Sequence, residues 1–326
     1  MMKKISAITV FFAGSMLNTV HAEEKPDDGS PKGKAIITLF TNAHSGFGRD
    51  NDDRGFELDR AYLGYQYDLP KGVQLKAVVD FGQSDHIDDY HRIGYIKNAQ
   101  VAWRHGGLTL SGGLISTTQF KLQEDFWGRR YVMKSFQDEY DFGSSADLAV
   151  SAAYKFNDYV SADVILANGE GYKKLQVKDG LQYGAGVTFY PFSGLVMRFY
   201  GSYNEDAERI GRGITNLAAF VGYRHRLFSV GAEGNYQFNT EFVTDHDLGG
   251  VSVYVNVPVR NYVALFGRWD CLASKGDWND PNDGMTGVVG AGFRLGKYVR
   301  LSPNFRLRNQ SGGNSYYAYL NLSCSF

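Results

Sequence analysis

The chain has 326 residues, with 34 Lys or Arg against 35 Asp or Glu, so bulk charge argues neither for nor against a nucleic-acid partner, and none is predicted. It is rich in Gly (39), Tyr (22) and Phe (22), poor in Pro (7), and carries two Cys. Past the first few residues, no stretch supplies the ~20 apolar residues that a membrane-spanning helix needs, which excludes a helical membrane protein.

The chain opens "MMKKISAITVFFAGSMLNTVHAEE". Lys3 and Lys4 precede a mostly apolar run, and Val20-His21-Ala22 places small or apolar residues ahead of a cut before Glu23. This pattern predicts a secretory signal peptide over residues 1–22, too short to anchor the protein in a bilayer. Residues 23–33 then form an N-terminal segment leading into a β domain over 34–326.

From residue 34 onward, runs of about ten residues alternate between apolar and polar, bounded by turn residues. Sixteen such runs are predicted, at 34–42, 57–69, 73–82, 95–104, 107–115, 146–156, 159–168, 181–190, 194–204, 215–225, 227–238, 249–258, 261–272, 286–295, 298–309 and 315–326. In "LFSVGAEGNYQF", Phe228, Val230, Ala232, Tyr236 and Phe238 share one face, while Ser229, Glu233, Asn235 and Gln237 share the other. Connections alternate between short turns such as "PKG", "HGG" and "PFSG" and long polar loops such as "HSGFGRDNDDRGF". A dry core could not accept that many charges without partners. Strands of this length, with aromatics such as Tyr67, Trp103, Phe156, Phe238 and Trp269 ending the apolar face, predict an all-β fold. Specifically, they predict a transmembrane antiparallel β-barrel of about 16 strands, with short periplasmic turns and long external loops. The last run, "SYYAYLNLSCSF", alternates to its final aromatic. A barrel in lipid must pair its last strand with its first, because no open edge can face hydrocarbon.

One connection stands apart. Residues 116–145, "STTQFKLQEDFWGRRYVMKSFQDEYDFGSS", form an inserted loop too long for an ordinary link and too aromatic for disorder. Its charged residues are mixed: Lys121, Arg129, Arg130 and Lys134 against Glu124, Asp125, Asp138, Glu139 and Asp141.

With this strand count and loop pattern, the mature chain resembles the sixteen-stranded outer-membrane porins of Gram-negative bacteria. Locally, "ELDRAYLGYQYDL" and the strand pair ending "NGEGY" resemble phosphate-selective porin-like proteins, with Arg60, Gly64, Asn168, Gly169 and Gly171 at the matching positions. The terminal Phe326 resembles the C-terminal signature that barrel-assembly machinery reads. The resemblance implies a third loop folded into the barrel to narrow it, a homotrimer, and contact with outer-membrane lipid and lipopolysaccharide. The mixed charge of the third loop departs from what phosphate selectivity would require.

Strand parity places a set of charged side chains on the lumenal wall. The basic ones include Lys76, Arg104 and Lys155, and above all Arg198, Arg224, Arg268, Arg294, Arg300, Arg306 and Arg308. The acidic ones are Asp68, Asp80, Asp147, Asp163, Glu233 and Asp270. Arginine ladders favour anions. Two readings follow. Either the arginines face a mixed-charge loop (Lys121, Glu124, Asp125, Arg129, Arg130, Lys134) and give a mild anion preference, or they pair with the loop and hold it in place.

The expected function is passive diffusion of small hydrophilic solutes or ions, with a non-conducting adhesin or scaffold barrel as the alternative. No G-x-S-x-G and no outward Ser–His pair is present, so no enzyme is predicted. The histidines, including His86 and His91, are scattered, and the Asp-rich loops lack calcium-loop spacing, so no metal or cofactor is predicted. Cys271 and Cys324 fall at opposite ends of their strands, some 20 Å apart at ~3.3 Å per residue. A disulfide reaches only ~7 Å between α-carbons, so two free thiols are expected.

Overall fold

The computed structural model describes residues 31–48, 51–83, 91–174, 180–207, 211–276, 278–310 and 313–326. The predicted signal peptide, most of the 23–33 segment and His86 lie outside the described residues.

Sixteen strands follow in chain order. They are β1 (Lys32–Phe47), β2 (Arg54–Asp68), β3 (Val73–Gln83), β4 (Arg92–His105), β5 (Leu108–Ser116), β6 (Ala146–Lys155), β7 (Val160–Ala167) and β8 (Gln182–Phe189). The second half comprises β9 (Leu195–Asn204), β10 (Ile214–His225), β11 (Phe228–Phe238), β12 (Leu248–Arg260), β13 (Val263–Ser274), β14 (Gly284–Leu295), β15 (Val299–Gln310) and β16 (Gly313–Ser325). Each pairs antiparallel with its neighbours, and β1 pairs with β16, closing the barrel. The closure runs from Phe47↔Tyr316 to Thr38↔Ser325 and continues through Phe326, whose N–H donates to the Ile37 carbonyl at 2.8 Å. No strand edge is left open, which is the condition for a sheet in hydrocarbon.

The barrel is inverted relative to a soluble sandwich. Along β12, Val251, Val253, Val255 and Val257 are exposed, while Ser252 and Tyr254 between them are buried. Across β11 to β14, the register Glu233↔Ser252↔Asp270↔Thr286 aligns four buried polar residues in one inward row. Exposed aromatics mark both rims of the outward face: Phe156, Tyr159, Phe192 and Tyr262 at the short-turn end, and Phe56, Tyr183, Tyr203 and Phe238 at the long-loop end.

Two β-bulges matter for the interior. Asp59 on β2 is an extra residue opposite Phe40 and Thr41, and Lys97 on β4 is an extra residue opposite Val78 and Val79. A bulge breaks the two-residue period and re-aims a side chain. It lets Ile96 stay on the outer face while both Lys97 and Asn98 turn inward.

The insertion between β5 and β6, residues 117–145, folds inside the barrel. It contains two short helices, α1 (Lys121–Trp127) and α2 (Phe136–Glu139). Gly128 ends α1 in the left-handed conformation at φ 66°, a position that suits glycine, and its N–H returns to the Glu124 carbonyl. Cys271 and Cys324 form no disulfide.

Candidate pore constriction

An apolar seam fixes the inserted loop to one half of the wall. Phe126, Trp127, Tyr131, Val132 and Met133 pack against inward-facing residues of the wall, among them Val196, Phe220, Tyr254, Phe266 and Val288. The Trp127 ring lies 5.6 Å from Tyr254 and 6.0 Å from Phe266, with its indole N–H donating to the Met133 carbonyl at 2.9 Å. An apolar loop face can dock inside the lumen because the wall offers inward apolar residues at these heights.

Wall donors then stitch down the backbone carbonyls of the loop. Arg198 on β9 donates to Thr118 at 2.9 Å, Arg224 on β10 to Asp125 at 3.0 Å, and Tyr254 on β12 to Gln123 at 3.1 Å. Arg268 on β13 donates to the Lys134 carbonyl and Arg306 on β15 to that of Val132, while Asn321 on β16 donates to Tyr131 at 3.0 Å. The Gln123, Val132 and Tyr131 carbonyls are buried, and without these donors each would be stranded away from water at ~1–3 kcal/mol.

The wall arginines themselves are largely matched. Arg198 grips Asp163 with two N–H groups, at 2.7 and 3.0 Å. Arg268 grips Asp270 through Nη2 at 2.7 Å and Nε at 2.9 Å. Arg306 lies 3.7 Å above the Tyr319 ring and donates to Asn304 and Asn321, both at 3.0 Å. Arg224 stacks on Phe126 at 4.1 Å. Arg294 bonds the Asn261 carbonyl at the short-turn end and sits opposite Arg300, and Arg308 lies 5.9 Å from the Tyr317 ring. The expected arginine ladder is thus not an open one. Arg198, Arg268 and Arg306 are buried against the loop, because the loop docks on the very strands that carry them.

Space remains on the opposite side. A cavity of about 290 Å³ lies between the loop and β1 to β5. Lys34, Lys76, Lys97, Lys121 and Arg130 line it, with Glu124 as its one lining carboxylate among the described residues. Of the six loop residues singled out in the sequence, Lys121, Glu124 and Arg130 border this space. Asp125 pairs with Lys121, Arg129 donates to Asn256 at 2.6 Å and stacks on Phe266, and Lys134 lends its carbonyl to Arg268. Glu124 is matched by Arg130 and by Lys121 at 3.5 Å. Burial alone would lift its carboxyl, but these two cations hold it below the usual carboxylate range.

Lys97 escapes a strict reading of parity because the bulge hides it. The signal was present in the sequence: Ile96, Val101 and Trp103 are all outward, and the odd spacing from 96 to 101 requires an extra residue between them. The Lys97 ammonium donates to Ser145 Oγ at 2.9 Å and sits 4.5 Å from the Tyr172 ring. Nearby, Arg60 pairs with Asp80 and donates to the Tyr172 hydroxyl at 2.9 Å, and that hydroxyl donates in turn to Asp80.

The N-G-x-G stretch has a plain physical role. Gly169 and Gly171 adopt φ of 87° and 79°, turning their N–H groups onto Asp147 Oδ2 at 2.8 and 3.2 Å. Gly64 is an inward position where a Cβ would come within 2.3 Å of the Ala77 carbonyl oxygen. Among the described residues, no three His, Cys, Asp or Glu side chains converge on a metal-sized site.

No protein-family model matches the sequence, and no curated protein matches it. Solved structures do. The chain is similar to OmpF of Salmonella typhi, solved in complex with daunomycin (TM-score 0.69, 9% identity, 90% of this chain and 98% of that one). It is similar to the anion-selective porin from Comamonas acidovorans (TM-score 0.68, 13% identity, 91% and 100%). It is also similar to the outer membrane channel DcaP of Acinetobacter baumannii (TM-score 0.64, 12% identity, 92% and 98%). At such identities the likeness is one of fold, and the closed barrel described above has the fold of the sixteen-stranded porins.

Proposed function

We propose that this chain is an outer-membrane porin. It admits small hydrophilic solutes and ions by passive diffusion through a lumen narrowed by residues 117–145, and it performs no chemistry. The single observation that carries the reading is the lysine-lined space left open when the loop docks on β9 to β16. Lys34, Lys76 and Lys97 border that space and are not paired with carboxylates among the described residues, so the local field favours anions. The mild anion preference therefore rests on lysines of β1, β3 and β4 rather than on the arginines of β13 to β15. The fold shared with porins, one of them described as anion-selective, supports the same reading. By the same likeness we propose a homotrimer exported through residues 1–22, with lipid and lipopolysaccharide around its outer wall.

The test is a reversal potential across a planar bilayer under a KCl gradient. The protein is expected to pass chloride in preference to potassium. The variant K76Q/K97Q/K121Q is expected to lose that preference, whereas R300S is expected to keep it. A parent channel that favours potassium would overturn the anion reading.

A second reading, a non-conducting barrel that serves as adhesin or scaffold, is favoured by the tight apolar packing of the inserted loop against the inner wall. Resolved single-channel steps would exclude it.

A further inference from the structure

We infer that the lysine-lined cavity is a binding site for a small organic anion with an apolar body, and that it holds such a solute in preference to an inorganic anion of equal charge. The inference deepens the porin reading and rests on it.

The site is built from two adjacent rows of the wall. In the first, the register Lys34↔Gln66↔Lys76↔Gln100 crosses β1 to β4 and presents two ammonium groups flanked by amides. In the next, Ile36↔Gly64↔Val78↔Asn98 runs parallel to it and presents two branched alkyl side chains. Gly64 between them has no side chain, and Val78 closes over it, with Cγ2 2.8 Å from where a Cβ would stand. On the loop side, the buried Phe120 ring faces the same space, and Lys121 stands beside it. Lys97, turned inward by its bulge, supplies a further ammonium.

Charge and grease therefore meet in one chamber. A chloride or phosphate ion satisfies the ammonium groups but makes no use of the alkyl carbons that the half-buried Ile36 and the edge of Val78 present to the chamber. A carboxylate on an aromatic or branched body satisfies both rows at once, and each buried CH₂ adds about 0.8 kcal/mol. A neutral solute of the same shape leaves the ammonium groups without a counter-charge. At about 290 Å³ the chamber lies at the small end of ligand pockets (~300 Å³ and above), which limits the solute to a compact one. Binding is weak by the nature of an open channel, since a solute that enters must also leave.

The experiment is block of chloride current through single channels of the full chain by benzoate, with benzamide and inorganic phosphate as comparison probes. Benzoate is expected to reduce the current in a saturable way, benzamide to leave it unchanged at the same concentration, and phosphate to act only at higher concentration. V78T keeps the outline of the side chain and puts a hydroxyl in place of one methyl. It is expected to weaken benzoate block severalfold. K76Q is expected to weaken block about tenfold, equivalent to ~1.4 kcal/mol, and to lower the chloride-to-potassium ratio as well. Equal block by benzoate and phosphate, or block by benzamide, overturns the site while leaving an anion-preferring pore in place. A parent channel without anion preference overturns the anion reading on which the site rests, and a chain that gives no channel steps overturns the porin reading itself.

Discussion

Arg268→Ala is expected to destabilise the folded barrel by about 3–5 kcal/mol and to turn a quiet channel into a noisy one. The first effect follows from burial. Arg268 and Asp270 alternate along β13, both pointing inward, and both side chains are almost wholly shielded from solvent. Removing the guanidinium leaves the Asp270 carboxylate, among the described residues, with the Tyr140 hydroxyl at 3.3 Å in place of the three N–H contacts that Arg268 gave it. The second effect follows from the Lys134 carbonyl, which loses its wall donor. The double variant R268A/D270A separates the two. It removes the stranded charge, so most of the stability returns, while the loop remains untethered at Lys134 and the noise persists. The temperature at which the folded form disappears in heat-modifiable gel migration reads the first effect, and single-channel current variance reads the second. A single variant as stable as the parent would show that the pair contributes nothing net. A quiet double variant would show that the loop is held by its aromatics alone.

Excision of residues 118–143, bridged by a short Gly-Ser link, is expected to raise single-channel conductance several-fold. The loop occupies the side of the lumen bounded by β9 to β16, and nothing else among the described residues crosses the interior. Chloride preference is expected to fall at the same time, because Lys121 and Arg130 leave and the remaining lysines act across a wider, better-screened space. The excision also wets Phe220, Tyr254, Phe266 and Val288, which the loop now covers. At roughly 1.5–3 kcal/mol for each fully buried side chain, the folded form should melt at a lower temperature. Replacing these four with Ser or Thr in the excised chain should recover solubility in detergent without reducing the enlarged conductance. A conductance unchanged by excision would place the loop outside the ion path.

Much of the barrel was legible because its strands are governed by one repeated constraint, apolar outward and polar inward. The run at 195–204, for example, differs from the sequence estimate by a single residue. The alternation that marks the first strand ends at 42, whereas β1 continues to Phe47. His44, Ser45 and Gly46 lie towards the long-loop end, near the rim, where the outward face no longer needs to be apolar and the periodic signal fades. The inserted loop was legible as an anomaly of length and aromatic content, but its seat was not. The inward apolar residues Phe220, Tyr254, Phe266 and Val288 break the polar inner face at four strands, and that break is the sequence trace of a docked partner. The charged wall shows the deeper limit. Alternation reports which way an arginine points, not what it meets there. Arg198, Arg268 and Arg306 point inward as expected and are then covered by the loop, while Lys97 enters the lumen only because a bulge shifts the phase of β4.

The central claim is that the apolar side of each strand meets lipid and the polar side meets the interior. β12 tests it most directly. In a C271S/C324S background, single cysteines at Val251, Val253, Val255 and Asn256 would carry a small fluorophore in liposomes made with bromine-labelled acyl chains. The account predicts strong quenching at 251, 253 and 255 and little at 256, where the side chain meets the loop through Arg129 and the Trp127 carbonyl. Equal quenching at all four positions, or quenching strongest at 256, would contradict it.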